Sequence, residues 1–189
     1  MLAGDTESSF SLDHGGDFYR DVYLVKFDER GEPLWQRNYG SVDGEFASDV
    51  DVAENGDILL FGGSGSDDID GCTNHGGCDL YVLKLSSSGD PLWHKMFGLP
   101  FDDAALSGCA TSDGGCAVAG AVRPGKNQFS DTASYLLKLD GHGELIWELQ
   151  RGGGSYDQSD SIIETRDGHI VAVYNMHQDI YIIKVGNSD

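Results

Sequence analysis

One six-residue pattern recurs along the chain and limits what the chain can fold into. The pattern is Asp, any residue, Tyr, two apolar residues and Lys, and it occupies residues 21–26, 79–84 and 179–184. A copy without the Asp occupies residues 134–138. After the lysine of the first three copies in chain order, a Gly follows at the fifth position, a Trp at the ninth and a second Gly at the fourteenth. The chain is therefore built of repeats of about 50 to 60 residues.

Each repeat contains two predicted β-hairpins. The first joins the Tyr-to-Lys segment, which is rich in β-branched and aromatic residues, to the Trp segment through a polar turn with a Gly. The second turns at Asn55-Gly56, Asp113-Gly114 and Asp167-Gly168, which supply the positive φ angles of a tight turn. No segment of ten or more residues has the 3.6-residue period and the caps of a helix. We therefore predict four antiparallel strands per repeat and very little helix.

Four-stranded units at this spacing predict the fold class, an all-β β-propeller with four-stranded antiparallel blades. We expect a single domain over residues 1–189, with repeat units at approximately 1–58, 59–116, 117–170 and 171–189. This amounts to about 3.5 repeats, because the 14 predicted strands are two fewer than four complete blades contain. Two arrangements remain open: four blades with incomplete end blades, or part of a larger propeller.

The repeat resembles known propeller families. The order of an Asp-Gly turn, an apolar strand ending in Gly, a variable loop, Asp-x-Tyr-x-x-Lys, a Gly turn and a Trp is similar to the kelch-like repeat. It is also similar to bacterial secreted propeller repeats that read roughly D-x-Y-L-x-K-L-D-x-x-G-x-x-x-W. The resemblance covers essentially the whole chain and implies a propeller fold. It implies no single function, because such propellers serve binding, adhesion and catalysis.

The charge of the chain restricts its partners. The chain carries 32 acidic and 12 basic side chains and a formal net charge of −20. Lys and Arg supply most of the affinity for phosphates, so this surface would repel nucleic acids and anionic membranes. No stretch approaches the roughly 18 apolar residues of a membrane span, and the first residues lack the basic end and apolar core of a signal peptide. We expect no nucleic acid partner and no membrane insertion.

Three acidic residues in equivalent positions are candidate calcium ligands. Glu45, Asp103 and Asp157 each stand ten positions before a predicted Asn-Gly or Asp-Gly turn. Successive blades could bring these carboxylates together around a central channel, where they would hold Ca²⁺. The alternative is a structural role, in which each carboxylate accepts backbone N–H groups at a blade junction. Repetition in every unit favours the structural role.

A second acidic segment resembles the front of a calcium loop. Asp68 and Asp70 place oxygen ligands at alternate positions before Gly71. Gly77 stands where such a loop would have its bidentate Glu, so a solvated polar loop is the alternative. Calcium is thus the cofactor that the sequence suggests, and no cofactor is required for the predicted fold.

The four cysteines form two locally close pairs. Cys72 and Cys78 close a short loop, and Cys109 and Cys116 flank a predicted tight turn, so we expect a disulfide in each pair. Two disulfides would fit an oxidising compartment, which predicts an extracellular, cell-surface or periplasmic location. Reduced buried thiols are one alternative. A zinc site that uses His75 between the first two cysteines is another, although structural zinc sites usually take ligands from two separated knuckles.

The aromatic residues fall into two groups. The Tyr and Trp residues of the repeat pattern keep a fixed register, which favours packing between blades over stacking on a ligand. Other aromatic residues lie in loops that differ between the units, and these are better candidates for ligand contact. The ligand-contact candidates are Phe10, Phe18, Tyr19, Phe101, Phe129 and Tyr156.

The sequence contains no motif that is typical of catalysis. It has no Gly-x-Ser-x-Gly elbow, no phosphate-binding loop and no spaced pair of histidines on a helix. We therefore predict that the chain is not an enzyme but a non-catalytic extracellular binding or assembly module, whose partner is a protein, a carbohydrate or another copy of itself. Two alternatives stay open: a self-assembling structural subunit, and a propeller domain of a secreted enzyme similar to quinone-dependent dehydrogenases, which also repeat a Gly-x-x-x-Trp hairpin.

Overall fold

The computed structural model describes residues 2–7, 20–41, 43–67, 69, 71–125, 132–153, 156–177 and 179–186. These residues form fourteen β-strands and contain no helix, so the all-β prediction is confirmed for the described part of the chain. The strands are β1 (Leu2–Glu7), β2 (Arg20–Phe27), β3 (Pro33–Tyr39), β4 (Glu45–Val52), β5 (Ile58–Ser64), β6 (Asp79–Leu85), β7 (Pro91–Phe97), β8 (Ala104–Ala110), β9 (Cys116–Val122), β10 (Ala133–Leu139), β11 (Leu145–Gly152), β12 (Gln158–Glu164), β13 (Ile170–Met176) and β14 (Asp179–Val185).

The strands form four antiparallel sheets that follow one another along the chain. Sheet A contains β1 to β3, sheet B contains β4 to β7, sheet C contains β8 to β11 and sheet D contains β12 to β14. Within each sheet, strands that are consecutive in sequence are hydrogen-bonded neighbours. Gly56, Gly114 and Gly168 have φ angles of 87°, 85° and 77°. The tight turns that the sequence predicts are therefore present, with glycine where the backbone is left-handed.

The sheets pack face to face in series, A on B, B on C and C on D. The later sheet of each pair makes this contact largely through its first strand, which is β4, β8 or β12. Strands β5, β6 and β10 are buried along their whole length, because both of their faces meet a neighbouring sheet. This explains why these segments are nearly continuous apolar runs, whereas the outer strands β3 and β11 are largely exposed and β7 is mostly half-buried.

Alternate residues of one strand supply two different cores. Tyr81 and Leu83 on β6 face sheet A and pack with Val22 and Leu24. Leu80 and Val82 point the other way and pack against sheet C. The core between sheets C and D contains the buried residues Cys109, Ala117, Ala119, Leu136, Ile162, Ile170 and Ala172. Each middle sheet is therefore held between two apolar layers.

Carboxylates on the first strand of sheet B bond the first strand of sheet C. Asp49 Oδ2 accepts hydrogen bonds from the Ser107 hydroxyl at 3.0 Å and the Gly108 N–H group at 3.1 Å. Asp51 Oδ2 accepts one from the Ala110 N–H group at 2.9 Å. Three polar groups of β8 that face sheet B are thus satisfied by side chains of the previous sheet.

Candidate binding cleft between sheets A and B

The first of the three equivalent acids joins a loop to two strand ends. Glu45 begins β4 and is 1% exposed. Its carboxylate accepts hydrogen bonds from the Ser41 N–H group at 2.8 Å, from the Ser64 hydroxyl at 2.8 Å and from the Ser66 hydroxyl. Burial raises the pKa of Glu45, although these hydrogen bonds oppose the shift. The Glu45 carboxylate therefore connects the loop before β4 to the end of β5.

Asp103 and Asp157 occupy the equivalent places in sheets C and D. Each is buried and accepts a hydrogen bond from the N–H group four residues earlier. Each also accepts one from the segment after the second strand of its sheet, from the Arg123 N–H group at 2.7 Å or the His177 N–H group at 2.9 Å. These contacts are those of the structural role that the sequence offered as the alternative to calcium.

Each of the three acids accepts hydrogen bonds from the loop before its own sheet and from the segment at the end of the second strand of that sheet. Among the residues that the structure describes, no three His, Cys, Asp or Glu side chains form a group that could hold a metal ion. Asp68 and Asp70 lie outside the described residues. Calcium binding therefore stays a prediction.

A second carboxylate lies beside Asp103. The Asp79 Oδ1 and Asp103 Oδ2 atoms are each 2.6 Å from the point that a Cβ atom on Gly98 would occupy. Asp79 is fully buried. Its Oδ2 atom accepts a hydrogen bond from the His75 N–H group at 2.9 Å and lies 2.7 Å from the His75 Nδ1 atom. Burial raises the pKa of Asp103 to about 6, and the negative charges of Asp79 and Asp102 add to the shift. The space that a side chain would fill is thus occupied by two carboxylate oxygens, which accounts for the glycine of the repeat.

The predicted disulfides are absent from the structure, in which all four cysteines are free. The prediction for the second pair fails because of strand register. Cys109 is paired with Ala117, and Ala110 is paired with Cys116. Adjacent residues of a strand point to opposite faces, so Cys109 lies in the core between sheets C and D and Cys116 in the core between sheets B and C.

The first pair of cysteines also points to different surroundings. Cys72 packs against the core between sheets A and B. The Cys78 Sγ atom lies beside Gly63, 2.7 Å from the point that a Cβ atom there would occupy. Burial raises the pKa of the Cys78 thiol to about 12. An extracellular location therefore stays a prediction, without support from disulfides.

The structure describes two of the six aromatic residues that the sequence suggests for ligand contact, Phe101 and Tyr156. Phe10, Phe18, Tyr19 and Phe129 lie outside the described residues. Phe101 is half-buried, in the loop that packs on Gly76. Tyr156 is 70% exposed, directly before the buried Asp157. Tyr156 alone of the described candidates is therefore a largely exposed ring.

A cleft of about 450 Å³ lies between sheets A and B. One wall is the end of β3 and the residues after it, and the other consists of β6 and β7. Tyr81 and His94 stand together in the second wall, with ring centroids 6.5 Å apart. The lining residues are Asn38, Tyr39, Gly40, Ser41, Ile69, Tyr81, Leu83, Pro91 and His94. The cleft thus combines aromatic surface with hydroxyl, amide and imidazole groups, as small-molecule sites do.

Hydrogen bonds between the two sheets hold the walls of the cleft. The Tyr39 hydroxyl donates to the Gly89 carbonyl at 2.7 Å, and Arg37 donates to the same carbonyl and to Asp90. Burial raises the pKa of the Tyr39 hydroxyl, so this group remains a donor at neutral pH. The wall formed by β3 is therefore fixed relative to the turn after β6.

A smaller cleft of about 240 Å³ lies between sheets B and C. Lys95 and Glu144 form an ion pair of 2.8 Å at its edge. Cys72 and His75 also line it. Three of these four side chains are already paired, Lys95 with Glu144 and His75 with Asp79, so we place the candidate site in the larger cleft.

The sequence indicated neither Asn38 nor His94 as a site residue. His94 follows the repeated Trp93, and the residues that follow the other two tryptophans are Gln36 and Glu148. The residue type after the repeated Trp therefore differs between the repeats, and this difference was the one sign of His94 in the sequence. It indicates a site only when the structure shows that β3 and β7 border the same cleft.

Comparison with known proteins finds a relative that matches part of the chain. No protein-family model matches the chain. The chain is similar to a protein of Caulobacter vibrioides (strain ATCC 19089 / CIP 103742 / CB 15) named Regulatory protein FlaEY, with 29% identity over 109 residues. The match covers 52% of this chain and 11% of the length of that relative.

A solved structure of glucose dehydrogenase is similar over 99% of this chain and 78% of its own chain, with 11% sequence identity and a TM-score of 0.38. In the described part of the chain, no helix is long and apolar enough to cross a membrane.

Proposed function

We propose that the chain is a non-catalytic binding module built as a β-propeller, and that its ligand occupies the cleft between sheets A and B. Each sheet is interpreted as one blade. The series packing of the sheets supports this interpretation, because every later sheet meets the previous one through its first strand. Such packing through corresponding strands is expected of radially arranged blades.

The cleft carries the proposal, and its lining favours an uncharged polyhydroxylated ligand such as a carbohydrate. The ring of Tyr39 offers an apolar face for the C–H surface of a sugar. Ser41 and His94 offer donors and acceptors for hydroxyl groups. A net charge of −20 disfavours anionic ligands.

The first experiment is a glycan array probed with the labelled chain, followed by calorimetric titration of any ligand found. His94→Ala should weaken the affinity by about tenfold, since it removes hydrogen-bonding capacity worth roughly 1 to 1.5 kcal/mol. Gln150→Ala is the control, because Gln150 is an exposed residue of sheet C that does not line the cleft.

Two results would contradict the proposal. The array shows no bound glycan, or a bound glycan is retained equally by the chain and by the His94→Ala variant. Turnover of any ligand during these titrations would instead make the chain an enzyme and would contradict the non-catalytic part.

A further inference from the structure

The first sign of an additional interaction surface is a difference between equivalent residues. The position between the Asp and the Tyr of the repeat pattern is buried in three sheets, with exposures of 1% for Val22, 0% for Leu80 and 1% for Ser134. The position after the Tyr is equally buried, with 0% for Leu24, 0% for Val82 and 2% for Leu136. In sheet D the corresponding residues Ile180 and Ile182 are each 74% exposed. An apolar surface that the chain covers three times is therefore open in sheet D.

The rest of this face is consistent with an unoccupied interface. Ile162 belongs to the core between sheets C and D, so its neighbour Ile163 points to the opposite face, where it is 54% exposed. Lys184 shares the face of Ile180 and Ile182, and its side chain is 50% exposed. The equivalent side chains of Lys84 and Lys138 are 7% and 9% exposed. We call this surface of Ile163, Ile180, Ile182 and Lys184 the open face of sheet D.

The corresponding surface of sheet A is the one that would receive such a face. In sheet B, Tyr81 and Leu85 receive the apolar residues of sheet A, and they are 7% and 0% exposed. Their equivalents in sheet A are Tyr23, which is half-buried, and Phe27, which is 37% exposed. Val25, which lies between these two, is buried. Sheet A thus carries the part of the receiving surface that β6 supplies in sheet B, with its outer part accessible, while its three strands include no counterpart of β4.

Charge complementarity supports the same pairing. Where sheet A meets sheet B, the Lys26 Nζ atom donates to the Ser87 carbonyl in the turn after β6, at 2.8 Å. The residue equivalent to Lys26 in sheet D is Lys184, and the residue equivalent to Ser87 in sheet A is the exposed Glu29. A sheet D placed on a sheet A in the geometry that joins sheets A and B would bring Lys184, which is also paired with Asp167 at 3.0 Å, to an acidic turn.

We propose that the open face of sheet D binds sheet A of a second copy of this chain, in the geometry that joins sheets A and B. The interface is continuous in kind with the one between sheets A and B, and one chain carries both the open face and the β2 surface that meets it. Because the two halves differ, the association is head to tail, and it forms a ring if the rotation closes or a filament if it does not. The proposal does not depend on the ligand-binding cleft.

The test is the oligomeric state of the full chain, measured by sedimentation velocity across a wide range of protein concentrations at moderate salt. We expect assembly that increases with concentration. Ile182→Lys should raise the dissociation constant by at least about tenfold, because it places a charge in an apolar contact. Ile182 is largely exposed in the single chain, so this variant should fold. Ile146→Lys is the matched control, since Ile146 is 54% exposed on the outer strand β11.

A charge exchange separates the head-to-tail geometry from other assemblies. Lys184→Glu and Glu29→Lys should each weaken the assembly, and the chain with both substitutions should recover much of the loss, because each interface then regains one opposite-charge pair. A chain that stays monomeric at every concentration overturns the proposal. An assembly whose dissociation constant is unchanged by Ile182→Lys also overturns it. An assembly that is weakened by Lys184→Glu but not by Glu29→Lys overturns it as well, because that result would mean that two open faces pack on each other.

Discussion

The Lys95 Nζ atom lies 2.8 Å from the Glu144 Oε1 atom and so joins the outer strand of sheet B to a turn of sheet C. Arg37 and Asp90 make the same connection between sheets A and B at 2.7 Å. Glu144 is 70% exposed, so water and salt screen the pair. The connection recurs at the same register, and because its partners are partly or largely exposed, it should add little to stability.

A double-mutant cycle with Lys95→Met and Glu144→Gln measures this contribution. We expect a coupling free energy of about 0.2 to 1 kcal/mol, which falls as salt is added, because both partners are partly or largely exposed. Urea unfolding of the four chains gives the value. A coupling several times larger, or one insensitive to salt, would show that the pair is effectively buried.

Gly98→Ala should destabilise the chain by roughly 1 to 3 kcal/mol, since the new methyl group would meet the Asp79 and Asp103 carboxylates at 2.6 Å. Gly125→Ala is the control, because no atom lies within 4 Å of the corresponding point at Gly125. Urea unfolding midpoints measure both effects. Equal midpoints for the two variants would mean that the carboxylates move aside without cost.

The repeat made the strands, the tight turns and the packing role of the pattern residues predictable. The sequence shows Gly98 at a fixed distance from Trp93, but it does not show that two carboxylates occupy the place of its side chain. That proximity depends on how β6 and the loop before β8 approach each other in space. The same limit applies to the cysteines, because a shift of one residue in strand register separates Cys109 from Cys116.

The free energy of unfolding should fall as pH rises from about 4 to about 6. Burial raises the pKa of Asp103 to about 6 in the folded chain, whereas an unfolded Asp titrates near ~3.9. Between these values the folded state binds more protons than the unfolded state, so the slope is negative. The raised pKa of Glu45 acts in the same direction.

Carboxyl NMR titration of Asp103, together with urea unfolding at several pH values, checks this prediction. Asp103→Asn should reduce the slope, and Asp67→Asn, at an exposed position, should leave it unchanged. An Asp103 carboxyl that titrates near pH 4 in the folded chain would contradict the prediction.

Thiol counting tests the free cysteines. The fully buried Cys116, whose pKa is raised to about 12, should resist a thiol reagent in the native chain. The unfolded chain, purified without reductant, should yield all four thiols. A count of two or none after unfolding would restore the disulfides that the cysteine spacing suggested.

The acidic surface should make the stability of the chain depend on salt. The net charge is −20, so moderate NaCl should raise the melting temperature by screening repulsion between carboxylates. CaCl₂ at matched ionic strength separates screening from a specific site, because only a site that binds the folded chain raises the melting temperature further. A melting temperature that is the same in low salt, high salt and calcium would contradict both effects.

The binding cleft could not be predicted from any single segment. Tyr39 and His94 lie on strands of different sheets, and no spacing in the sequence reports the gap between the two walls. The open face of sheet D is a similar case. Ile180 and Ile182 match the pattern of buried residues in the other repeats, so the sequence predicts burial, and only the arrangement of the four sheets leaves them exposed.

The series packing of the sheets also determines how protection from solvent is distributed along the backbone. Sheets B and C lie between two neighbours, whereas sheets A and D each have an apolar core on one described side. Local opening of an end sheet therefore breaks one core, and opening of a middle sheet breaks two. Amide hydrogens of β5, β6, β9 and β10 should exchange with deuterium last, and those of β13 and β14 well before them. The chain would then lose its structure from its ends toward its centre.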